Sequence, residues 1–464
     1  MKIKEVLHNK YFNFGLVALL YLLWVIWLDN YWWLLGEIVI FDMYITRKVN
    51  WTFWKRRDGQ NSKLVEWLDA LIFAVIAVSF INIFFFQNYK IPTGSMEKTL
   101  LIGDHLFVSK LSYGPRLPMT PLSFPFTQHT MPLVGGKSYV EWIKRPYRRL
   151  KGFGEVQRND IVVFNFPAGD TVVLENQATS YYAIVRSIAM EMKHRDAAHH
   201  DSLPFEHYYA KAREIVWKRY HVVVRPVDKE DNYVKRCVAV GGDTVEVRHG
   251  DLYINGEKVP EFPGQQYRYV ILTNGTPLNP RTLEKMGIYR SDIYREGTNR
   301  YLIPLTQKNV ERIRSFAIVK GVWRWEESDS GKYDYNIFPH SPDYPWNVDN
   351  LGPLWVPEKG ATVKLTLQNL PLYRRIIEAY EHNTLKVQDS TIYINGEPAT
   401  SYTFRYNYYW MMGDNRHASA DSRYWGFVPE THIVGKPKYI WLSLNKEKRF
   451  PANIRLRRMF RKIQ

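Results

Sequence analysis

Three short runs of this 464-residue chain hold the residue types a covalent hydrolase needs. Ile91-Pro92-Thr93-Gly94-Ser95-Met96 offers a hydroxyl, Tyr233-Val234-Lys235-Arg236 an amine, and Gly413-Asp414-Asn415-Arg416 precedes Ser419, Asp421, Ser422 and Arg423. Serine is a weak nucleophile until a neighbouring base takes its proton. Gly94 lets the backbone of the first run come close to another strand. The same residues also make an ordinary turn. Lysine can be that base only when neutral, and burial lowers its pKa from the usual value of about 10.4. Val234, Cys237, Val238, Ala239 and Val240 could provide the apolar surround, although a lysine on a solvated strand face reads the same way. In a strand, Lys235 and Arg236 face opposite ways, so one can be buried while the other meets solvent or a carboxylate. The third run is rich in turn-forming groups, and in an extended chain Ser419, Asp421 and Arg423 fall on one side.

The elements that position these runs begin at the N-terminus. Residues 14–27 carry no charge, 31–45 are apolar and aromatic apart from Glu37 and Asp42, and 70–86 carry no charge. A helix crossing a bilayer takes roughly 17–25 apolar residues. The third stretch satisfies this, and the first does so once Tyr11 and Phe12 are added. The second is short and holds two acids. Lys2, Lys4 and Lys10 resemble the basic start of a targeting peptide, but residues 28–33 offer no small-x-small cleavage site, so an uncleaved anchor is expected. These lysines, together with Arg47, Lys48, Lys55, Arg56, Arg57 and Lys63, place both basic segments on the cytoplasmic side. Three crossings satisfy that constraint and put residue 88 onward outside.

Residues 1–63 are therefore expected to be a transmembrane hairpin with a basic cytoplasmic loop, and 64–88 a membrane anchor. The catalytic core comes in three parts, 89–167, 233–259 and 405–445. Residues 113–157 are rich in proline and aromatics and read as a long apolar-tipped loop. A helical insertion is expected over 168–232, because apolar residues recur there at helical spacing. Thr244-Val245-Glu246-Val247 leading to Leu252-Tyr253-Ile254-Asn255-Gly256-Glu257 is repeated by Thr384-Leu385-Lys386-Val387 leading to Ile392-Tyr393-Ile394-Asn395-Gly396-Glu397. Asn-Gly after alternating strands predicts tight turns. Residues 260–404 form a second, largely β region with a helix near 368–382. The tail, 446–464, spaces Leu456, Met459, Phe460 and Ile463 among five basic residues, which predicts a short amphipathic helix on the bilayer.

A net charge of +17 raises the question of nucleic acid, but the basic loop and tail account for part of it and no nucleic-acid-binding motif is present. Cys237 is the only cysteine, so an intrachain disulfide is excluded. His194, Asp196, His199, His200 and Asp201 form the one metal-like cluster, at a spacing that matches no zinc motif. No metal and no cofactor are expected.

The runs match bacterial type I signal peptidase in order. They are Pro92-Thr93-Gly94-Ser95-Met96 with Thr99-Leu100; Gly103-Asp104; Arg158-Asn159-Asp160-Ile161-Val162; Tyr233-Val234-Lys235-Arg236 with Gly242-Asp243; and Gly413 to Arg423 with Gly426-Phe427-Val428-Pro429. The chain resembles that family in these five boxes, which cover about a tenth of its length. The resemblance implies Ser95 as nucleophile, Lys235 as general base, and Thr93 with the Ser95 N–H as oxyanion hole. It implies that Ser419 orients the lysine amine and that Arg236, Asp421 and Arg423 support the site. Two departures stand out. The family usually has proline just before the residue matching Thr99, where this chain has Glu97-Lys98, and Asp-Asn after Arg416, where it has His417-Ala418.

The expected fold is mainly β: a membrane-anchored signal peptidase β fold with N-terminal transmembrane helices and a helical insertion. The expected activity is removal of N-terminal signal peptides from exported preproteins by a Ser-Lys dyad. The chain would be multi-pass in the inner (plasma) membrane, with a cytoplasmic N-terminus and the catalytic part on the periplasmic or extracytoplasmic side. Its partners would be preproteins and membrane lipid, with no nucleic acid and no obligate partner chain. A Ser-Lys self-cleaving repressor-type peptidase would lack the spanning segments and the Gly413 box. A catalytically inactive membrane-anchored binding or assembly protein of the same fold remains the alternative.

Overall fold

The first apolar stretch winds into α1, Lys10–Leu28, which starts at Asn9, whose side chain accepts the Tyr11 N–H at 2.9 Å. This computed structural model describes residues 9–51, 61–132, 134–198, 203–446 and 448–463. Lys2, Lys4, Lys55, Arg56 and Arg57 lie outside the described residues, as do His199, His200 and Asp201 of the metal-like cluster. Among the described residues no group of three potential ligands converges.

The second stretch is not one continuous helix. It is a broken rod of a 3₁₀ turn (Tyr31–Leu35), a short α2 (Gly36–Phe41) and a π turn (Asp42–Thr46). Two residues explain the breaks. Gly36 passes so close to the Tyr21 hydroxyl that a Cβ there would lie 2.1 Å from it. Asp42 accepts from Lys48 N–H at 3.0 Å, Val49 N–H at 3.1 Å and Trp51 Nε1 at 2.8 Å, which closes the helix. The rod runs back along α1. Trp33 meets Trp24, Tyr21 donates to the Trp33 carbonyl, and Phe41 meets Phe14. The third stretch is α3, Lys63–Phe84, opened by the Ser62 side chain. Among the described residues, α1 and α3 are the two helices long and apolar enough to cross a membrane. Their C-terminal tips meet, with Phe84 packed on Trp24 and Trp27 and, with Leu28, buried beside Leu150.

Beyond α3 the chain becomes antiparallel sheet. The strands are β1 (Phe86–Lys90), β2 (Asp104–Ser109), β3 (Ile161–Asn165), β4 (Asn232–Ala239), β5 (Tyr408–Met412), β6 (Val428–Pro429), β7 (Ile433–Ser443) and β8 (Arg461–Lys462). In space they run β1-β2-β7-β3-β4-β5-β6, with β8 on β7. The period-two rule sorts β3 between two cores. Ile161 and Val163 join Ile91, Met96, Leu100 and Leu106, while Val162 and Phe164 join Cys237, Met411 and Trp425.

Between β3 and β4 a stem of Thr171–Val173 on Val222–Val224 carries a helical hairpin, α4 (Tyr181–Ala197) and α5 (Phe205–Arg219). Its seam is Tyr181, Val185 and Ala189 against Tyr208, Ala212 and Val216, each set at a spacing of four. Between β4 and β5 lie the two repeat hairpins, a four-stranded sheet built on Tyr267–Thr273, and the helical segments Leu370–Arg375 and Ile376–Tyr380. Asn255 and Asn395 both adopt φ of 54°, each followed by a positive-φ glycine. Each asparagine side chain accepts from the threonine that opens its repeat, Thr244 N–H at 2.8 Å and Thr384 N–H at 2.9 Å.

The tail is not the expected helix. A 3₁₀ turn, Leu456–Arg458, leads into β8, whose residues pair Ile440↔Arg461 and Tyr439↔Lys462. The Arg455 guanidinium donates to the Ile102 carbonyl at 2.9 Å, and that of Arg458 to Asp104 at 2.6 Å. Strand pairing and these charged bonds outweigh the helical spacing.

Candidate active site

The Ser95 turn is pinned from both sides. Met96 and Leu100 are buried in the core, and the Leu100 N–H closes on the Met96 carbonyl at 2.7 Å. From the far side Asn415 grips the turn. Its N–H donates to the Ser95 carbonyl at 3.0 Å and its Nδ2 to the Gly94 carbonyl at 3.2 Å. In sequence Asn415 shows only as a member of the Gly413 run. A backbone carbonyl as partner leaves no signature in sequence.

β4 delivers the amine. Lys235 Nζ lies 2.6 Å from Ser95 Oγ and 3.2 Å from the Val234 carbonyl, with the Lys235 side chain buried. Burial lowers the lysine to about 8, against an upward pull from Asp421 and Asp414 and a further downward push from Arg423. The carboxylates do not hold it higher because each is committed to an arginine. Arg236 binds Asp414 through two bonds of 2.8 Å, and Arg423 binds Asp421 through two of 2.8 Å. All four side chains are buried. Thr99 Oγ1 adds a 2.6 Å bond to Asp414, and Gly413 N–H a 3.1 Å bond to Asp421. The Phe262 ring covers the Arg236 guanidinium at 4.2 Å.

Ser419 is buried beside this network. Its Oγ is enclosed and has no hydrogen-bond partner. It rests against Gly413, where a Cβ would stand 2.2 Å from that oxygen, so only glycine fits. Thr93 is exposed at the lip. The structure thus brings Ser95 and Lys235 into direct contact and places Arg236, Asp421 and Arg423 in the charge pairs around them. Ser419 lies beside the network without a bond to the amine. The Pro-to-Lys98 departure has a backbone counterpart. Lys98 adopts φ of 73°, which a proline ring held near −65° cannot reach.

A serine hydroxyl beside a buried amine whose pKa is lowered to about 8, with no histidine in the contact, is equipped for acyl transfer. The family model described as signal peptidase, peptidase S26, matches residues 64–279 and 400–442, more than half of the chain, and leaves out 280–399. Signal peptidase I of Haemophilus influenzae is 24% identical over 405 residues, covering 87% of this chain and 77% of that protein. Signal peptidase I of Buchnera aphidicola subsp. Acyrthosiphon pisum is 24% identical over 385 residues, 83% of this chain and 77% of its own. That of Pseudomonas aeruginosa is 21% identical over 392 residues, 82% of this chain and 73% of its own.

Proposed function

The chain belongs to the signal peptidase family, peptidase S26, and from that membership we propose that Ser95 and Lys235 form its catalytic dyad. It is a serine endopeptidase of the signal peptidase I type, acting on preproteins that bear signal peptides. The 2.6 Å contact between Ser95 Oγ and a buried, depressed lysine carries the proposal. Neutral Lys235 takes the Ser95 proton as Oγ attacks the scissile carbonyl carbon. The oxyanion meets the Ser95 N–H and the Thr93 hydroxyl. Collapse breaks the peptide bond, and the proton passes from Lys235 to the departing amine. Lys235 then deprotonates a water that hydrolyses the acyl-serine, which restores the hydroxyl. Ser419 steadies the amine once substrate is bound. Half-buried Tyr89 and Val234 pack on the apolar cluster of Ile91, Leu106 and Val163, a surface suited to the small residues that precede signal-peptide cleavage sites.

Membrane anchoring completes the reading. α1 leads outward, the broken rod returns along it, and α3 leads outward again. This puts the sheet on the extracytoplasmic side and the N-terminus inside. The meeting of the α1 and α3 tips and the antiparallel return of the rod support three crossings. The test is preprotein cleavage by detergent-solubilised Ser95→Ala, Lys235→Ala and the double variant. Each single change abolishes cleavage and the double variant is no worse, because nucleophile and base act as a unit. Cleavage retained by either single variant overturns the dyad.

A further inference from the structure

The two departures from the family's usual boxes, Lys98 and His417, both reach into residues 280–399, the stretch outside the family match. The His417 side chain is 1% exposed. Its Nε2 stands 2.8 Å from Asp349 Oδ1, also 1% exposed, and its Nδ1 accepts the Arg268 N–H at 3.1 Å. One ring nitrogen accepts, so the other carries the proton, and the imidazole is neutral with Nε2–H donating to the carboxylate. The Trp325 and Tyr267 rings flank it at 5.7 and 5.8 Å. Asp349 is fixed in turn by the Glu327 N–H at 2.7 Å. On the nucleophile side, the Lys98 amine donates to the Gly287 carbonyl and lies 5.6 Å from the centre of the Tyr289 ring.

A third contact runs between these two struts. Gln266 N–H donates to the Asp414 carbonyl at 2.8 Å, and Arg416 N–H donates to the Gln266 carbonyl at 2.9 Å. Gln266 thereby pairs with Asn415, the residue that grips the Ser95 turn. His417 is two residues further along that same turn, and the Ala418 N–H closes it on the Asn415 carbonyl at 3.1 Å. A displacement of His417 therefore passes to Asn415 and from there to Ser95 within one loop.

We propose that residues 262–349 brace the catalytic loops, with His417 as a positioning residue that holds the Asn415 turn, and through it Ser95, at bonding distance from Lys235. The proposal rests on the dyad reading. It gives the region between the second and third parts of the core a catalytic purpose beyond adding mass to the fold. An error of about 1 Å in such a contact costs on the order of a hundredfold in rate.

The test is steady-state cleavage of a preprotein by the full-length enzyme in detergent, with circular dichroism of every variant. His417→Ala lowers kcat by about ten- to a hundredfold with KM little changed, and moves the acidic limb of the rate profile because the Lys235 environment shifts. His417→Gln, whose amide can both accept from Arg268 N–H and donate to Asp349, regains most of the rate. Wild-type kcat in a folded His417→Ala overturns the proposal, as does a loss that glutamine does not rescue or that leaves the pH profile in place. If His417→Ala does not fold, Lys98→Ala decides on the other strut, where a lowered kcat supports the brace and an unchanged one overturns it. Ser95→Ala runs alongside. If it is dead while the brace variants are normal, the brace alone fails; if it cleaves, the dyad reading itself fails.

Discussion

The sheet around Lys235 and the hairpin layer of 370–404 treat buried polar groups in opposite ways. Near Lys235 the Ser419 hydroxyl and one oxygen of Glu97 are enclosed without partners, and the lysine itself sits buried among committed ion pairs. In the hairpin layers, Glu381 accepts from Tyr402 at 2.6 Å, Tyr408 at 2.7 Å and the Arg405 N–H at 2.9 Å. Asn383 likewise bonds both Tyr402 and Asn395. A buried polar group without a partner costs free energy, so its persistence asks for a reason. In the first region the proposed catalysis supplies that reason. In the second region the polar groups serve the fold.

The largest way to break the comparison is to unpair one of the buried ions packed around Lys235. Asp414→Asn leaves Arg236 buried without its counter-charge, which costs about 3–5 kcal/mol. It also removes one of the two carboxylates that draw the lysine upward. Thermal or chemical unfolding in detergent micelles reads the loss. A change below about 1 kcal/mol, typical of exposed pairs, would mean the pair behaves as a surface salt bridge.

Lys235→Met reverses the sign. The folded lysine titrates near 8 against 10.5 in the open chain, so charging it in the fold costs about 3 kcal/mol. That penalty is full below pH 8, shrinks as pH rises from 8 to 10.5, and is gone above. The inactive methionine variant is therefore more stable than the parent at pH 7, and the two converge at high pH. A Lys235→Met variant that is less stable at pH 7 would show that the site is not strained by its base. The same titration shapes the rate. With a neutral lysine required, kcat/KM falls about tenfold per pH unit below about 8, or roughly a hundredfold at pH 6. A profile flat between pH 6 and 9 rules out a lysine base.

What the chain reveals by inspection follows from the same division. Ser95, Lys235, Arg236, Asp421 and Arg423 stand in short contiguous runs, each of which alone reads as well as a turn or a solvated strand, and it is the family resemblance that carries a role onto them residue by residue. The helical hairpin is legible because Tyr181, Val185 and Ala189, then Tyr208, Ala212 and Val216, keep a strict spacing of four. Contacts between distant segments are not legible. Nothing near Asp349 in sequence points to His417, and the grip of Asn415 acts on backbone carbonyls that every residue has. The tail misleads for a physical reason. Helical spacing is a weak local preference, and the Phe460 N–H bond to the Ile440 carbonyl at 2.6 Å, with the Ile463 N–H bond to Lys438 at 2.9 Å, recruits it into the sheet. The second apolar stretch keeps its composition but changes helical type at Gly36 and Asp42, where each residue makes a contact elsewhere.

The smallest expected effect separates the twin hairpins. Asn395→Ala forces an alanine into φ of 54° and removes the bonds to Thr384 and Asn383. A left-handed alanine costs roughly 1–2 kcal/mol, and cleavage should not change, because these partners stay within the hairpin layers. Asn255→Ala bears the same backbone cost and also loses its threonine bond, but where Asn395 loses a neutral Asn383 partner it loses a 3.1 Å bond to the Asp243 carboxylate, the partner of Arg158. Asp243 closes the turn after β4 through the Val240 N–H at 3.0 Å, and β4 carries Lys235. The two substitutions are alike in sequence and differ in that second partner, a carboxylate in one and an amide in the other. Asn255→Ala should therefore exceed its twin by about 1 kcal/mol, the margin of a hydrogen bond to a charged group over a neutral one, and lower kcat slightly where Asn395→Ala does not. Equal losses of stability and equal rates would mean that the hairpin after β4 is as remote from the chemistry as its copy.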